Sequence, residues 1–330
     1  MSQQLSTRRC RLGWLTAVLF LLAADARAQV RFEIVGERAL GMAGAFVAVA
    51  DDATAAHWNP AGLVHGQPAG VTIGWQRFQT GKHDIAPYPG PGTERGSFTS
   101  FGTWPFGASF GRFESTELVG REDGSVGSVS FRTNQYAITV LQTLVQGLVV
   151  GSTLKYVRGT VADGPAGGPT VADALREGAD LDGDANGVFD LDVGVMADFH
   201  KVRVGVTMKN LTTPDFGPVA ETAITLPRLY RLGVALLPTN GVTLAIDLDL
   251  DTVDLRDGLR RMIAIGGEGR LGRRLFLRSG VRWSVVGSRQ LVGAVGGSLS
   301  LRSSVWLDGH YSQGRQVEDR GYGVALRAGF

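Results

Sequence analysis

The chain has 330 residues, 33 basic and 31 acidic, with 47 glycines and a single cysteine, Cys10. One thiol cannot form an internal disulfide, and a net charge of +2 is no footprint for nucleic acid. No apolar run after the first 30 residues approaches the ~18 needed for a membrane helix, so a helical membrane protein is excluded, leaving a large soluble β protein or a transmembrane barrel.

The N-terminus reads as a secretory leader, residues 1–28. Arg8, Arg9 and Arg11 form a positive start, residues 12–24 an apolar run, and Ala26-Arg27-Ala28 a cleavage site. Cys10 precedes the apolar run, which excludes lipid attachment there. Removing the leader takes away four arginines and one aspartate, leaving 29 basic and 30 acidic residues.

Next comes "LGMAGAFVAVADDATAAHWNPAGL", within an expected segment 29–67. Gly41, Ala43, Gly44, Ala45 and Ala48 are tiny, Phe46 stands among them, and Asp51 and Asp52 follow. Trp58 is a large side chain with one polar atom. Asn59-Pro60 signals a turn, where Gly62 is expected to supply a positive φ.

From residue 68 to residue 330 the hydrophobic period is two. Fourteen segments follow: 69–79, 94–104, 105–114, 129–143, 147–160, 188–199, 201–211, 225–237, 241–254, 259–271, 274–286, 289–300, 303–314 and 318–330. Most are 10 to 14 residues long, nearer the 9–11 of a tilted membrane strand than the five or six of a sandwich. Connections after even segments are short, and the long ones (80–93, 115–128, 161–187 and 212–224) follow odd segments. Outer-membrane barrels alternate in this way, with short periplasmic turns and long outer loops. The predicted fold is therefore all-β, a fourteen-stranded antiparallel transmembrane barrel.

In each segment one face is aliphatic and the other charged or tiny. The second face supplies Asp190, Asp192 and Asp198 from the sixth segment, and Arg203, Lys209 and Arg231 from the next two. Asp247, Asp249 and Asp251 come from the ninth, and Arg260, Glu268, Arg270, Arg278 and Arg282 from the tenth and eleventh. Acidic and basic strands alternate, so cross-strand ion pairs are expected along the interior wall. The last segment puts Tyr322, Val324, Leu326, Ala328 and Phe330 on one face. An aromatic terminus on an alternating strand resembles the signal read by the barrel-assembly machinery.

The stretch 40–63, with "FDLDVGVMADF…VRVGVTMKNLTTPDF" at 189–216, resembles the FadL/TodX long-chain fatty-acid transporters and the related PorV-type proteins. The resemblance implies a fourteen-stranded barrel in the outer membrane of a diderm bacterium, with residues 29–67 as a plug in its lumen. It implies partners: outer-membrane lipid, the assembly machinery, and either a small hydrophobic molecule in transit or, as in PorV-type proteins, secreted or envelope proteins that dock.

Other motifs carry less. "GEGRLG" (267–272) lies in a strand followed by another strand, not a phosphate-binding helix. "GASFG" around Ser109 lacks the strand-to-helix turn of a nucleophile elbow. Asp308 and His310 share a face, but no serine is tied to them in sequence, so a non-enzyme with no cofactor is expected. His57, His65, His83 and His200 lack metal-ligand spacing. In "DLDGDANGVFD", Asp180, Asp182, Asp184, Asn186 and Asp190 partly match a calcium loop. Val193 stands where its bidentate acid belongs, so Ca²⁺ in an outer loop is the one metal site the sequence offers, against a solvated acidic turn.

Overall fold

Alternation between apolar and small or charged residues gives each strand one face for lipid and one for the interior. The computed structural model describes residues 35–80, 89–121, 123–217, 223–255, 258–287, 291–315 and 320–330. The leader, and residues 29–34 of the expected plug, lie outside them.

Fourteen strands run antiparallel around the barrel: β1 (Ala69–Thr80), β2 (Pro89–Thr103), β3 (Phe106–Gly120), β4 (Val126–Val145), β5 (Leu148–Pro165), β6 (Asp184–Asp198), β7 (Val202–Lys209), β8 (Leu229–Thr239), β9 (Val242–Asp249), β10 (Met262–Leu271), β11 (Leu275–Ser284), β12 (Val292–Arg302), β13 (Val305–Gly314) and β14 (Arg320–Gly329). Each pairs with the next, and β1 closes on β14 from Gly70↔Gly329 to Gln79↔Arg320, leaving no edge. Every connection after an even-numbered strand has two or three residues, for example Trp104-Pro105 and Asn240-Gly241. The other end carries the longer excursions 166–183, 210–228 and 250–261. Among the described residues no helix is long and apolar enough to cross a membrane.

The outer surface is an apolar band between aromatic rows. Phe110, Tyr136, Tyr156 and Phe189 are direct partners across β3–β6, with ring centroids 5.1 Å apart in the first pair and 5.2 Å in the last. Trp75, Tyr322 and Tyr311 continue the row on β1, β14 and β13. At the short-turn end Trp104, Phe106, Phe199 and Phe330 are exposed, and Ile73, Ile138, Leu154 and Leu326 lie between the rows. Such a surface is stable only against lipid. This is a transmembrane barrel of the outer-membrane type, with its short turns on the periplasmic side.

β3, β4 and β5 run further outward than their alternation suggested. In the expected loop 115–128, residues up to Gly120 and from Val126 are strand, and the expected loop 161–187 gives up both its ends to β5 and β6. The extensions of β3 and β4 read as loop because their outer face carries Thr116, Ser128 and Ser130. In the fold these side chains are buried beneath helix α3 (Val171–Ala179), which lies against the outer ends of β2–β5. Thr170 caps that helix, its Oγ1 accepting from Asp173 N at 3.2 Å, and Arg132 ties the following turn by donating to Leu181 O at 2.6 Å.

Candidate functional site

Residues 35–66 lie inside the barrel. They form helix α1 (Glu37–Gly41), helix α2 (Ala55–Trp58) and a 3₁₀ turn (Pro60–His65), and nearly every residue from Val35 to Leu63 is buried. The segment is thin, as its composition requires, and the wall it meets is thinner still. A Cβ at Gly205 would stand 2.7 Å from Val47 O and 2.9 Å from Asn59 Nδ2. One at Gly266 or Gly280 would stand 2.5 Å from Met42 O, and one at Gly41 3.1 Å from Gly296 Cα. Gly74 and Gly323 make room for the Glu37 carboxyl, and Gly151 and Gly194 for Asn59-Pro60-Ala61. The segment follows a track of inward glycines through the wall.

Gly62 departs from its expected role. It sits in the 3₁₀ turn without a positive φ, and a Cβ there would collide with Ala50 O, so close approach fixes it as glycine. Positive φ falls instead on Gly36, Ala43 and Gly44, at 82°, 56° and 89°. Trp58 donates from Nε1 to Val35 O at 2.9 Å, and Phe46 packs edge-on against its ring at 5.9 Å. Asn59 fastens three backbones. Its Nδ2 donates to Val47 O and Val195 O at 3.0 and 3.1 Å, while its Oδ1 accepts from Ala61 N at 3.2 Å. Pro60 starts the 3₁₀ turn, where its missing N–H costs nothing.

Charges bind this segment to the wall. Arg38 donates from Nε and Nη2 to the two oxygens of Glu268 at 2.9 and 2.8 Å, and its Nη1 meets Asp51 and, at 3.2 Å, Asp52. Arg203 lies 3.7 Å from Asp51 and 2.9 Å from Asp198. Asp247 of β9 accepts from Phe46 N and Val47 N at 2.8 and 2.9 Å. Glu37, beside Asp308 and Asp52, has no hydrogen-bond partner for either oxygen. Burial is the main cause pushing its carboxyl up to about 8, with those two aspartates adding to it, so it is neutral at pH 7.

The expected lumen charges largely pair across strands. Arg231 meets Asp249 at 2.6 Å, and Arg278 meets Glu268 at 2.5 Å and Asp308 at 3.8 Å. Asp190 and Asp192 share Lys155 at 2.8 and 2.6 Å; this β5 lysine carries no sequence signal beyond its strand parity. Arg282 is buried on β11. Asp251 does not belong to this set: β9 ends at Asp249, and Asp251 is exposed, capping Thr252 N at 2.8 Å. Arg260 is likewise outside the barrel strands, in the hairpin Val253–Leu255/Gly258–Arg260. The expected calcium residues are scattered. Asp180 follows α3, Asp184 and Asn186 lie in the β6 ladder, Asn186 donates to Asp215 O at 3.0 Å, and Asp190 is buried against Lys155. Among the described residues no three acidic or histidine side chains are grouped to hold a metal. Both ring nitrogens of His310 are buried without a hydrogen-bond partner, while Ser298 donates to Asp308, so no serine–histidine relay is assembled. Tyr322 and Phe330 face outward, and Phe330 is joined through its backbone to Ala69 at 2.8 Å.

The segment divides the lumen. Outward of it lie two apolar clusters. Val35, Leu40, Phe78, Phe98 and Phe113 form the lower one. Phe131, Val157, Val161, Phe216, Ile224 and Leu226 lead the upper one, where the hairpin Asp215–Phe216/Ile224–Thr225 folds inward and sets Phe216 5.6 Å from Phe131. A cavity of about 10 Å³ lies between Phe78, Phe113 and Phe131. On the periplasmic side a larger cavity of about 420 Å³ is lined by charged groups, Arg38, Asp51, Glu268 and Arg327 among them, together with Leu63, Leu237, Phe276 and Trp306. Neither apolar cluster was evident in the sequence, because inward phenylalanines interrupt otherwise polar faces one at a time.

Solved structures share this architecture. The chain is similar to the CymD monoaromatic hydrocarbon channel (TM-score 0.65, 15% identity, covering 90% of this chain and 97% of that one). It is similar to the toluene transporter TodX of P. putida (0.60, 11%, 93% and 99%) and to a FadL homologue of Pseudomonas aeruginosa (0.59, 10%, 92% and 99%). At these identities the likeness establishes the fold. A family profile described as "F plasmid transfer operon, TraF, protein" matches residues 121–249. No curated protein matches the chain.

Proposed function

We propose that this barrel is a non-catalytic outer-membrane channel passing a small hydrophobic molecule inward, with the N-terminal segment as its plug. The observation that carries this reading is the stack of apolar clusters in the outer half of the lumen, ending on the segment at Val35 and Leu40. Charged walls alone suit an apolar molecule poorly, but here one set of charges lies around and beneath the segment, and on its outer side Lys155 is paired with Asp190 and Asp192 and Arg231 with Asp249. An apolar solute would leave water for the cluster at Phe131 and Phe216, move to Phe78, Phe98 and Phe113, and pass to the periplasmic cavity once the segment shifts. The names of the channels sharing the fold, for monoaromatic hydrocarbons and toluene, point to solutes of that size and polarity.

The test is uptake of radiolabelled toluene by cells lacking the gene and by cells complemented with wild type or Phe113→Gln. The deletion should lower uptake and wild type restore it. Phe113→Gln should restore it poorly, since one buried aromatic contributes about 1.5–3 kcal/mol to holding an apolar solute. Unchanged uptake combined with loss of a set of surface proteins would replace transport by protein docking.

A further inference from the structure

On six consecutive strands the outward face carries one arginine just beyond the apolar band: Arg320 on β14, Arg77 on β1, Arg95 on β2, Arg112 on β3, Arg132 on β4 and Arg158 on β5. Four stand two residues beyond an outward aromatic of their own strand: Arg320 beyond Tyr322, Arg77 beyond Trp75, Arg112 beyond Phe110 and Arg158 beyond Tyr156. In each case the direction is toward the long-loop end. Aromatic side chains mark the boundary of hydrocarbon, so the guanidinium groups lie at the level of the outer leaflet's headgroups. Within β6–β13 the described outward positions carry no arginine or lysine at this level, and Arg228 and Arg261, just before β8 and β10, are held by Leu211 O at 2.7 Å and Asp249 O at 2.9 Å. The unengaged charge is a sector, not a ring.

Arg132 donates to Leu181 O at 2.6 Å and Arg320 to Gln79 Oε1 at 2.7 Å, but the other four side chains are not occupied by the protein. Arg77, Arg95, Arg112 and Arg158 make no hydrogen bond or ion pair with any described residue, and the Nε–H groups of Arg77 and Arg95 are buried without an acceptor. Arg77 and Arg95 are direct cross-strand partners, a placement in which like charges repel. The one outward carboxylate in the sector, Glu114, is the direct partner of both Arg95 and Arg132 and forms no ion pair with either. A wall that sets guanidinium beside guanidinium and leaves their donors free is complementary to a multivalent anion, and the planar fork of arginine suits phosphate oxygens.

We propose that the sector β14–β5 is a binding site for the phosphate groups of the glycolipid in the outer leaflet of the outer membrane. Arg77, Arg95 and Arg112 hold one phosphorylated headgroup, and Arg158 extends the site toward β5. The acyl chains of that lipid lie along Ile73, Phe110 and Tyr136 below. Divalent cations ordinarily bridge such phosphates, and here the arginines replace them.

The full chain, purified in maltoside detergent with EDTA present throughout, is titrated with bisphosphorylated lipid A, with the same lipid dephosphorylated, and with phosphatidylglycerol, and lipid binding is counted by native mass spectrometry. Bisphosphorylated lipid A should bind at least about tenfold more tightly than either other lipid, as several arginines act on one multivalent headgroup. The Arg77→Gln/Arg95→Gln/Arg112→Gln/Arg158→Gln variant should lose that preference. The Arg112→Gln/Arg158→Gln variant, which alters only exposed side chains without partners, should lose about threefold and keep the heat-modifiable migration of a folded barrel. If the fourfold variant does not fold, the double variant decides alone. Equal binding of the dephosphorylated lipid, equal binding of phosphatidylglycerol, or wild-type preference in the double variant would each overturn the site. The readout involves no uptake, so it stands or falls separately from the channel reading.

Discussion

Arg38 and Glu268 join the N-terminal segment to the barrel wall through two parallel hydrogen bonds, Nε to Oε2 at 2.9 Å and Nη2 to Oε1 at 2.8 Å. The same guanidinium holds Asp51 and Asp52, so one side chain of α1 neutralises carboxylates of both the segment and β10.

Arg38→Met should therefore release the segment. Removing one partner of a buried ionic cluster costs about 3–5 kcal/mol, because the remaining charges are left unpaired. Single-channel conductance in planar bilayers should rise from nearly closed to steadily open, with the barrel still folded by far-UV circular dichroism. Arg38→Lys should rescue only in part, since an ammonium cannot make the paired contact to Glu268. A closed Arg38→Met channel would show that the segment is held elsewhere.

Glu37 makes docking sensitive to pH. Its carboxyl titrates at about 8 when buried, against 4.5 for the free side chain, so the docked state binds more protons across that window. The contribution of Glu37 to docking is complete below about pH 4.5 and is lost as pH rises through about 8. Conductance measured from pH 6 to 9 should climb in the wild type. In Glu37→Gln, which keeps the neutral shape, it should stay low and flat. A climb of the same size in the variant would assign the titration to another group.

Gly205→Val tests the track. The nearest atoms to the new Cβ are Val47 O and Asn59 Nδ2, both in the segment, so the barrel itself is spared. Overpacking of this kind costs about 1–3 kcal/mol. Trypsin should cut near Arg38 faster in the variant than in wild type, at unchanged barrel melting temperature. Equal cleavage rates would mean that the wall accommodates the methyl groups and the contact is loose.

Phe330 closes the outward face of β14 and is joined to Ala69 at the barrel seam. Deleting it should lower the amount of heat-modifiable protein in the outer membrane several-fold. Normal amounts would argue that the seam assembles without the Phe330 contact.

Strand number, direction and turn alternation were legible because they rest on period two and on short polar turns, which survive any tertiary context. The interior was legible only where opposite charges face each other on adjacent strands, as in Arg231 and Asp249. Arg38 gave no signal: a lone arginine near a chain start looks solvated, and its carboxylate partners are 13 to 230 residues away. Asp251 misled because alternation continues past the end of the strand that produces it. Asp182, Asp184 and Asn186 imitate a calcium loop, yet a ladder pairing Asp184 with Val161 and Asn186 with Gly159 holds the backbone too straight to wrap an ion. Thr116, Ser128 and Ser130 hid the extensions of β3 and β4, since small polar residues on an outer face make sense only with α3 above them.

The inward glycines have a further consequence once the segment is gone. Where Gly205, Gly266, Gly280 and Gly296 face the lumen, the exposed material is peptide backbone already bonded within the sheet. Each such patch has almost no chemical taste: it offers few free donors, few acceptors and little to grip. What can grip a solute is confined to the charges between the patches, Asp247, Arg203 and the Glu268–Arg278 pair, so an apolar molecule is sorted among the phenylalanines above and slides past on glycine.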